Sequence, residues 1–199
     1  MPKREHPKEE RTLVLIKPDG VRRGLIGEII ARIEQRGLKI IAIDMVEQSR
    51  KHIDDHYPKD KVWIERLGQK TMATYKKYGI DPMEELKTRD TMKIGQMVRK
   101  WLIEFMVSGP IVKVIVKGIH AIDMVRKLAG NTCPNMAEMG TIRGDYSVDS
   151  PASANTDHRA IHNIIHASEN PKEAEHEIKH WFKENEIHDY KCGDEDVMF

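Results

Sequence analysis

The stretch TLVLIKPDGVRRGLIGEIIARIEQRGLKIIAIDMV, Thr12–Val46, decides the fold that the rest of the chain extends. Its first part, Thr12–Lys17, is a short apolar run typical of a buried strand. The turn Lys17–Gly20 stops this strand and leaves an ammonium group at its tip. Leu25–Gly37 carries apolar residues at helical spacing and ends in a glycine typical of a helix C-terminus. With a second strand over Leu38–Val46, the stretch predicts a β-α-β unit.

The remaining chain continues this alternation of helices and strands. Its patterns predict, in order, helices over Lys51–Tyr57, Lys61–Tyr78 and Thr91–Met106, a strand over Ile111–Lys117 and a helix over Ala121–Ala129. Gly140–Asp157 is polar and turn-rich without periodicity, and its length makes it a candidate functional loop. The order of elements matches an α+β fold of the split β-α-β type, with a four-stranded antiparallel sheet covered by helices. The helices over about 60–106 form an extra helical insertion on that sheet.

Asn163–Glu169, with the sequence Asn-Ile-Ile-His-Ala-Ser-Glu, predicts the last strand and a reactive group on it. The β-branched pair Ile164–Ile165 favours a short buried strand that delivers His166 at its end. A helix follows, in which Asn170–Glu173 supplies the N-cap, a proline at the first position and a capping box. An imidazole titrates near neutrality, so a useful fraction of His166 is a neutral nucleophile at pH 7.

Composition narrows the class of protein. The 199 residues suit one large domain, and their formal net charge of +1 gives no overall field that favours nucleic acid or an anionic membrane. The apolar runs are too short to span a membrane, and the first residues lack a signal-peptide apolar region. The only cysteines, Cys133 and Cys192, fit a reducing interior. We therefore expect a soluble cytoplasmic protein with one domain at 11–190, a flexible N-terminal tail at 1–10 and a C-terminal tail at 191–199.

Three cationic side chains are predicted at the ends of elements. Lys17 follows the first strand, Arg126 lies on the helix over 121–129 with Thr132 beyond it, and Arg143 lies in the glycine-flanked run Gly140–Asp145. Arg and Lys match phosphate oxygens, and glycines let backbone approach a ligand closely. The motifs of P-loop and dinucleotide-binding proteins do not occur. The cations and His166 together predict a phosphate pocket of another kind.

Three strings closely resemble nucleoside diphosphate kinases: KPDGVRRGLIGEII from Lys17, GTIRGDYS at Gly140–Ser147 and NIIHASE at 163–169. The resemblance runs from about Arg11 to Tyr190, and the long helices resemble the archaeal-type branch. It implies a ferredoxin-like fold, a homo-oligomer (hexamer or tetramer) and Mg²⁺ held mainly through nucleotide phosphates. The implied activity is ping-pong transfer of the terminal phosphate from nucleoside triphosphates to diphosphates through a phosphohistidine, which maintains nucleotide pools.

The resemblance also assigns roles to individual residues. His166 is the implied nucleophile, and Lys17 and Asn163 are implied to meet the ribose hydroxyls, with Lys17 near the transferred phosphate. The implied phosphate binders are Arg126, Thr132 and Arg143, with Tyr57 beside the reacting phosphate. Ser168 and Glu177 are implied to support the imidazole. The aromatic that stacks on the base falls within the insertion, where Trp63, Ile64 and Leu67 are all candidates.

Two other hypotheses remain open from the sequence. His158, His162 and His166 are spaced at i, i+4 and i+8, so on one helix they would share a face and could bind Zn²⁺. Against this, the isoleucines before His166 favour a strand. A nucleotide-binding regulator without catalysis is the second alternative, and the intact set of implied active-site residues argues against it.

Overall fold

A four-stranded antiparallel sheet stands at the centre of the computed structural model, which describes residues 8–193. The strands are β1 (Glu9–Ile16), β2 (Lys39–Val46), β3 (Ile111–Ile119) and β4 (Ile165–Ala167), in the spatial order β2-β3-β1-β4. Every neighbouring pair is antiparallel. Because β3 and β1 lie between the other two strands, the two halves of the chain interleave, and the predicted ferredoxin-like fold is confirmed.

Helices flank this sheet on both faces. Within residues 8–193 they are α1 (Pro18–Arg22), α2 (Ile26–Gln35), α3 (Arg50–His56), α4 (Lys61–Tyr78), α5 (Pro82–Glu85), α6 (Thr91–Met106), α7 (Ala121–Ala129), α8 (Ile142–Tyr146), α9 (Pro151–Thr156) and α10 (Pro171–Trp181). The bounds of α4, α6 and α7 agree with the sequence prediction.

The alternation of side chains along β1 supplies both faces of the sheet. Leu13 and Leu15 are fully buried in an apolar cluster shared with α3, α6 and α10. Val14 and Ile16 point to the opposite face, where they pack with α2 and α7. A strand buried on both faces reads as a continuous apolar run, which is why the sequence identified it so clearly.

The N-terminal part of the chain differs from the prediction in two ways. Residues 1–7 of the predicted tail lie outside the described residues, but Glu9 and Glu10 belong to β1, where they pair with β3. The predicted turn at 17–20 is the beginning of α1, with Lys17 at its N-cap and Pro18 in its first turn. Proline fits this position because its missing N–H is not needed there. At the other end of the chain, the described part of the predicted tail is 191–193.

The predicted loop Gly140–Asp157 contains two short helices, α8 and α9. Thr141 caps α8 by accepting the N–H of Gly144, and Ser150 caps α9 by accepting that of Ser153. Helices of five and six residues are too short to show a hydrophobic period, so the sequence pattern could not reveal them.

The helical insertion has a small core of its own around Tyr75, Leu86 and Ile94. Its two long helices, α4 and α6, approach closely at glycines. A Cβ built on Gly68 would lie 1.8 Å from the carbonyl oxygen of Thr91, and one on Gly95 would lie 1.9 Å from that of Ile64. The end of α6 joins the main apolar cluster of the sheet. Backbone contact between α4 and α6 therefore fixes the insertion to the sheet.

This contact predicts that Gly95→Ala lowers the free energy of unfolding by about 1–3 kcal/mol, because the added methyl forces the two helices apart. Gly27→Ala is the matched control, since a Cβ on this α2 glycine meets nothing within 4 Å. Urea unfolding measures both. If the Gly95 variant is as stable as the Gly27 variant, the result contradicts the close backbone contact between α4 and α6 at Gly95.

Candidate active site

His166 is carried by β4, whose three residues pair with β1. The register places His166 opposite Leu15, so the imidazole is the middle side chain of the strand. The sequence predicted that both isoleucines before it belong to the strand and that His166 ends it. In the structure Ile164 has a φ of 69° and lies outside β4, which begins at Ile165.

The backbone before β4 makes a three-residue turn at Ile164. The N–H of Ile165 donates to the carbonyl of Asn163 at 2.7 Å, and the residue between them has a positive φ. This is the hydrogen bond of a γ-turn, whose positive-φ form is rare and strained. For a fully buried β-branched residue such a conformation costs on the order of 1–3 kcal/mol and persists only where its surroundings enforce it.

Arg143 is one of the groups that enforce this turn. Its guanidinium donates to three carbonyl oxygens, those of Asn163 (3.1 Å), Ile165 (2.6 Å) and Gly130 (2.6 Å). The side chain is 8% exposed, and burial lowers its pKa to about 10. A guanidinium has five N–H donors, so two remain after these three bonds. Arg143 therefore stays cationic at neutral pH and keeps donors for a ligand.

Lys17 and Asn163 form a second connection across the site. The Lys17 ammonium donates to Asn163 Oδ1 at 2.7 Å, and Asn163 Nδ2 donates to the carbonyl of Thr132 at 2.8 Å. Burial, helped by the charge of Arg143, lowers the pKa of Lys17 to about 8, while the charge of Asp19 opposes that shift. The result is a buried ammonium that is still mostly protonated at pH 7 and is strengthened as an electrostatic group by its low-dielectric surroundings.

Glu177 holds the imidazole of His166. Its two oxygens lie 2.8 and 3.0 Å from His166 Nε2, and Ser168 Oγ donates to one of them at 2.6 Å. Burial raises the pKa of Glu177, but His166, His56 and Ser168 together bring it below its ordinary value. An ionised carboxylate only accepts, so Nε2 carries the proton and Nδ1 has a free lone pair. Among the described residues no hydrogen bond engages Nδ1.

The helix that carries Glu177, α10, begins as predicted with Asn170 as its N-cap and Pro171 at its first position, but the predicted capping box is wrong. Asn170 Oδ1 accepts the N–H of Glu173 at 3.0 Å. The Glu173 carboxylate, however, accepts the N–H of Glu169 at 2.8 Å, one residue before the position that a capping box requires. The extended Asn170, with φ −154°, carries the chain from β4 into α10.

His56 is a site residue that sequence reasoning missed. It is nine-tenths buried, and its Nδ1 accepts the indole N–H of Trp181 at 3.2 Å. Because an indole can only donate, this nitrogen is unprotonated, and burial, together with the proximity of the second titratable ring of His166, lowers the pKa of His56 to about 3. A neutral His56 thus packs edge-on against His166, 5.1 Å between ring centroids. Nothing in the local sequence distinguishes it from a surface histidine of α3.

A cavity of about 920 Å³ opens over this cluster. Eight of the residues assigned from the sequence line it: Lys17, Tyr57, Arg126, Thr132, Arg143, Asn163, His166 and Glu177. Ser168 lies behind, fully buried. Arg126 donates to the carbonyl of Glu169 at 2.6 Å. The structure therefore brings the whole predicted set together around one cavity.

The insertion supplies one wall of the cavity. Trp63 lines it, with its ring 6.2 Å from that of Tyr57, whereas Ile64 and Leu67 are not among the described lining residues. Arg66 and Lys70, one and two turns further along α4, line it as well and were missed from the sequence. A helix face with cations at i and i+4 is common on solvated surfaces, so the pattern alone gave no signal.

The hypothesis of a three-histidine zinc site is wrong. Residues 158–164 are not helical, and the side chains diverge. His158 stacks on Trp101 at 5.8 Å and His162 packs on Phe105 at 4.9 Å, both on α6. Within the described part of the chain, the one group with metal-ligand spacing is His56, His166 and Glu177, whose ligand atoms lie within 4.8 Å of one another.

The chain is similar in sequence to known proteins of one family. The family model for nucleoside diphosphate kinase matches residues 10–67 and 87–187. The chain belongs to the nucleoside diphosphate kinase family. A nucleoside diphosphate kinase of Pyrobaculum aerophilum is 47% identical over 178 residues, 89% of this chain and 97% of that protein. One of Borreliella burgdorferi is 37% identical over 186 residues, 94% of this chain and 95% of that protein.

Solved structures show the same similarity. The crystal structure of an NDP kinase from Pyrobaculum aerophilum has a TM-score of 0.88 at 45% identity and covers 91% of this chain and 100% of its own. A transition-state mimic of the Borrelia burgdorferi kinase, with bound vanadate and ADP, has a TM-score of 0.77 at 36% identity and covers 96% of both chains. This chain, as a member of the nucleoside diphosphate kinase family, is thus a phosphotransferase that acts on nucleoside di- and triphosphates. The family model leaves residues 68–86 unmatched, within the insertion.

Over residues 8–193 no helix combines the length and the apolar character needed to cross a bilayer.

The fork of Arg143 predicts a stability difference without any ligand. Arg143→Lys should lower the free energy of unfolding by about 2–3 kcal/mol, because an ammonium cannot satisfy three divergent carbonyl groups. The control Arg126→Lys replaces a guanidinium that makes one exposed carbonyl contact, and it should change the free energy of unfolding by less than about 0.5 kcal/mol. Urea unfolding of the nucleotide-free protein measures both, and equal losses would contradict the role given to the fork.

Proposed function

We propose that His166 carries the phosphate between nucleotides through its Nδ1 atom. The observation that carries this proposal is the bond between Nε2 and Glu177, which leaves the Nδ1 lone pair as the nucleophile beside a cavity with buried cations. Nδ1 attacks the γ-phosphorus of a nucleoside triphosphate, and the bond from phosphorus to the bridging oxygen breaks. The diphosphate leaves with that electron pair. A second diphosphate then attacks the phosphohistidine, and the imidazole regains its lone pair.

Glu177 and Ser168 act on the charge of this intermediate. Phosphorylation of Nδ1 turns the ring into a cation that keeps its proton on Nε2, and the Glu177 carboxylate stabilises that charge. The Ser168 hydroxyl fixes the carboxylate, and its own oxygen accepts the N–H of Leu13 at 3.3 Å, which ties it to β1. The positioned carboxylate thus sets the tautomer of His166 before the reaction and needs no reorganisation during it.

The cationic side chains bind the polyphosphate and stabilise the negative charge that develops on it during transfer. We assign the phosphates to Arg126, Thr132 and Arg143, and the hydroxyl of Tyr57 to the reacting phosphate. Lys17 and Asn163 meet the ribose hydroxyls, with Lys17 near the transferred group as well. The support is that all of them line the same cavity as His166 and that two of the cations are already desolvated.

Magnesium enters the site on the nucleotide. The group with metal-ligand spacing contains two imidazoles and one carboxylate, and this set does not suit a hard cation that prefers oxygen. Its carboxylate is also committed to His166. Mg²⁺ bound with the nucleotide would offset the charge of its phosphates, as in other phosphoryl transfers. We therefore assign no residue of the chain as a protein ligand of the cation.

The cellular context follows from the resemblance. We propose that the enzyme maintains nucleoside triphosphate pools in the cytoplasm as a homo-oligomer, a hexamer or a tetramer, built from one kinase domain at 11–190. The half-exposed apolar side chains of Ile43 and Met45 on the edge strand β2 support association of subunits. Neither nucleic acid nor a membrane is required for the proposed reaction.

The mechanism predicts ping-pong kinetics and a trapped intermediate. Initial rates against donor at several acceptor concentrations should give parallel double-reciprocal lines, because one site serves both nucleotides in turn. Labelled ATP without acceptor should leave protein-bound phosphate that survives base and is lost in acid. His166→Ala should lose exchange and label but keep its fold and nucleotide binding.

The control for this experiment is His176→Ala, since this exposed histidine also lines the cavity. It should keep both exchange and label. Intersecting lines with no trapped label in the wild type would show direct transfer, and the absence of both turnover and label would show a nucleotide-binding regulator without catalysis. Label that survives the His166 substitution would place the carrier elsewhere.

Trp63 is the aromatic that we assign to the base. Trp63→Ala should raise KM for every nucleoside triphosphate about tenfold or more, since base stacking on an aromatic is worth about 1–3 kcal/mol and tolerates all bases. Val62→Ala, at an exposed neighbour on α4, should leave KM unchanged. For the wild type, kcat/KM for ATP, GTP, CTP and UTP should be similar. A several-thousandfold spread, or an unchanged KM in the Trp63 variant, would contradict this assignment.

A further inference from the structure

Asp19 touches the strained turn of the active site directly. It lies in the first turn of α1, and its Oδ2 accepts the backbone N–H of Ile164 at 2.9 Å. Its other oxygen, Oδ1, is buried and has no hydrogen-bond partner within residues 8–193. A buried carboxylate oxygen without a partner costs free energy. The hydrogen bond of Oδ2 is therefore not the only interaction that stabilises Asp19 in this position.

The contact between α1 and the turn is close because residue 20 is glycine. A Cβ at Gly20 would lie 3.1 Å from the carbonyl oxygen of Ile164 and 2.9 Å from the Cγ2 atom of Ile16. That same carbonyl accepts the N–H of Lys17 at 2.8 Å. Both polar groups of Ile164 are therefore satisfied by α1 and its N-cap, the N–H by a side chain and the carbonyl by backbone.

Arg143 holds the outer carbonyls of the same turn, those on either side of Ile164. Asp19 and Arg143 thus bind the turn from opposite sides, one as acceptor and one as donor. Asn163 and His166 are the two site residues whose backbone this turn connects. A turn with a positive φ at an isoleucine relaxes toward an extended strand when its restraints are removed, and that change would rotate Asn163 and shift His166.

Asp19 is also the anion that acts on two buried cations. Burial lowers the pKa of both Lys17 and Arg143, and Asp19 opposes that shift in each. At Arg143, Cys133 opposes the shift ahead of Asp19, and the charge of Arg126 acts in the direction of burial. The other charged neighbour of Lys17 is Arg143, which acts in the direction of burial. His56 faces Lys17 as a neutral ring.

We propose that Asp19 is a positioning residue of the phosphate-transfer site: its carboxylate locks the turn at Ile164 and balances the charge of Lys17 and Arg143. The proposal rests on the proposed function, since it assigns Asp19 a role in the reaction of His166. The proposed role of Asp19 does not require this residue to contact the substrate. The buried Oδ1 atom has no hydrogen-bond partner, but the carboxylate charge that it shares stabilises the protonated forms of Lys17 and Arg143.

Two variants separate the hydrogen bond from the charge. Asp19→Asn keeps an acceptor oxygen for the Ile164 N–H and removes the charge, and Asp19→Ala removes both. Asp123→Asn is the matched control, an exposed acid in the first turn of α7. The control should keep wild-type kcat, KM and pH profile.

Asp19→Ala should lower kcat on the order of 10²-fold with a smaller change in KM, because a shift of about 1 Å in a reacting group costs that much. In Asp19→Asn the high-pH limb of kcat/KM should move to lower pH. The sign follows from the charge: Lys17 acts as a cation, and without the nearby anion its pKa falls, so it loses its proton earlier as pH rises.

A direct titration distinguishes failure of this proposal from failure of the proposed function. Lysine labelled with ¹³C is followed by NMR against pH, and the Lys17 signal is assigned by its loss in Lys17→Arg. Asp19→Asn should lower its midpoint relative to the wild type and to Asp123→Asn, whether or not the protein turns over.

An unchanged midpoint and pH limb in Asp19→Asn would overturn the proposal, as would wild-type kcat in Asp19→Ala. If Asp19→Ala does not fold, Asp19→Asn, which keeps the backbone contact, still decides between the outcomes. Suppose that the wild type traps no phosphate, but that Asp19→Asn still lowers the titration midpoint of Lys17. This result would overturn the proposed function and would leave intact the electrostatic effect of Asp19 on Lys17.

Discussion

The backbone of Ile164 is held in a left-handed conformation, and the geometry of the phosphate pocket depends on it. The turn brings Asn163 back toward Lys17 and sets the register in which His166 lies opposite Leu15. A buried β-branched residue adopts such a backbone only when its surroundings enforce it. Here the enforcing groups are the Arg143 guanidinium, the Asp19 carboxylate and the N-cap of α1. Strain and phosphate-binding residues thus occupy the same few positions.

The charges of the pocket follow one physical pattern. Lys17 and Arg143 are desolvated cations whose hydrogen bonds go to an amide and to carbonyls, so much of their charge is left for a ligand. The carboxylate of Glu177 is reserved for the far side of the imidazole. Because this carboxylate is engaged by His166 and Ser168, it does not pair with Lys17 or Arg143. A polyphosphate is the ligand class that such a field favours.

The helix pair α4 and α6 both stabilises the insertion and supplies residues that line the cavity. Two glycines let α4 and α6 meet at backbone distance, and this fixes the N-terminal turns of α4 over the cavity. Trp63, Arg66 and Lys70 reach the cavity from that helix. From the sequence the glycines were ordinary residues inside helical patterns, because a close crossing depends on a partner helix some 27 positions away along the chain.

The sequence by itself determined the sheet, the long helices, the family and the set of residues that the structure brings together around one cavity. Those features depend on periodicity and on motifs with local spacing, which the chain displays directly. Only the tertiary structure decided the turn at Ile164, the capping pattern of α10, the neutral state of His56 and the position of Trp63, but not Ile64 or Leu67, at the cavity. Each of these depends on contacts between residues distant in sequence. The physical reason is that burial and hydrogen-bond partners, which set strain and protonation, exist only after the chain has packed.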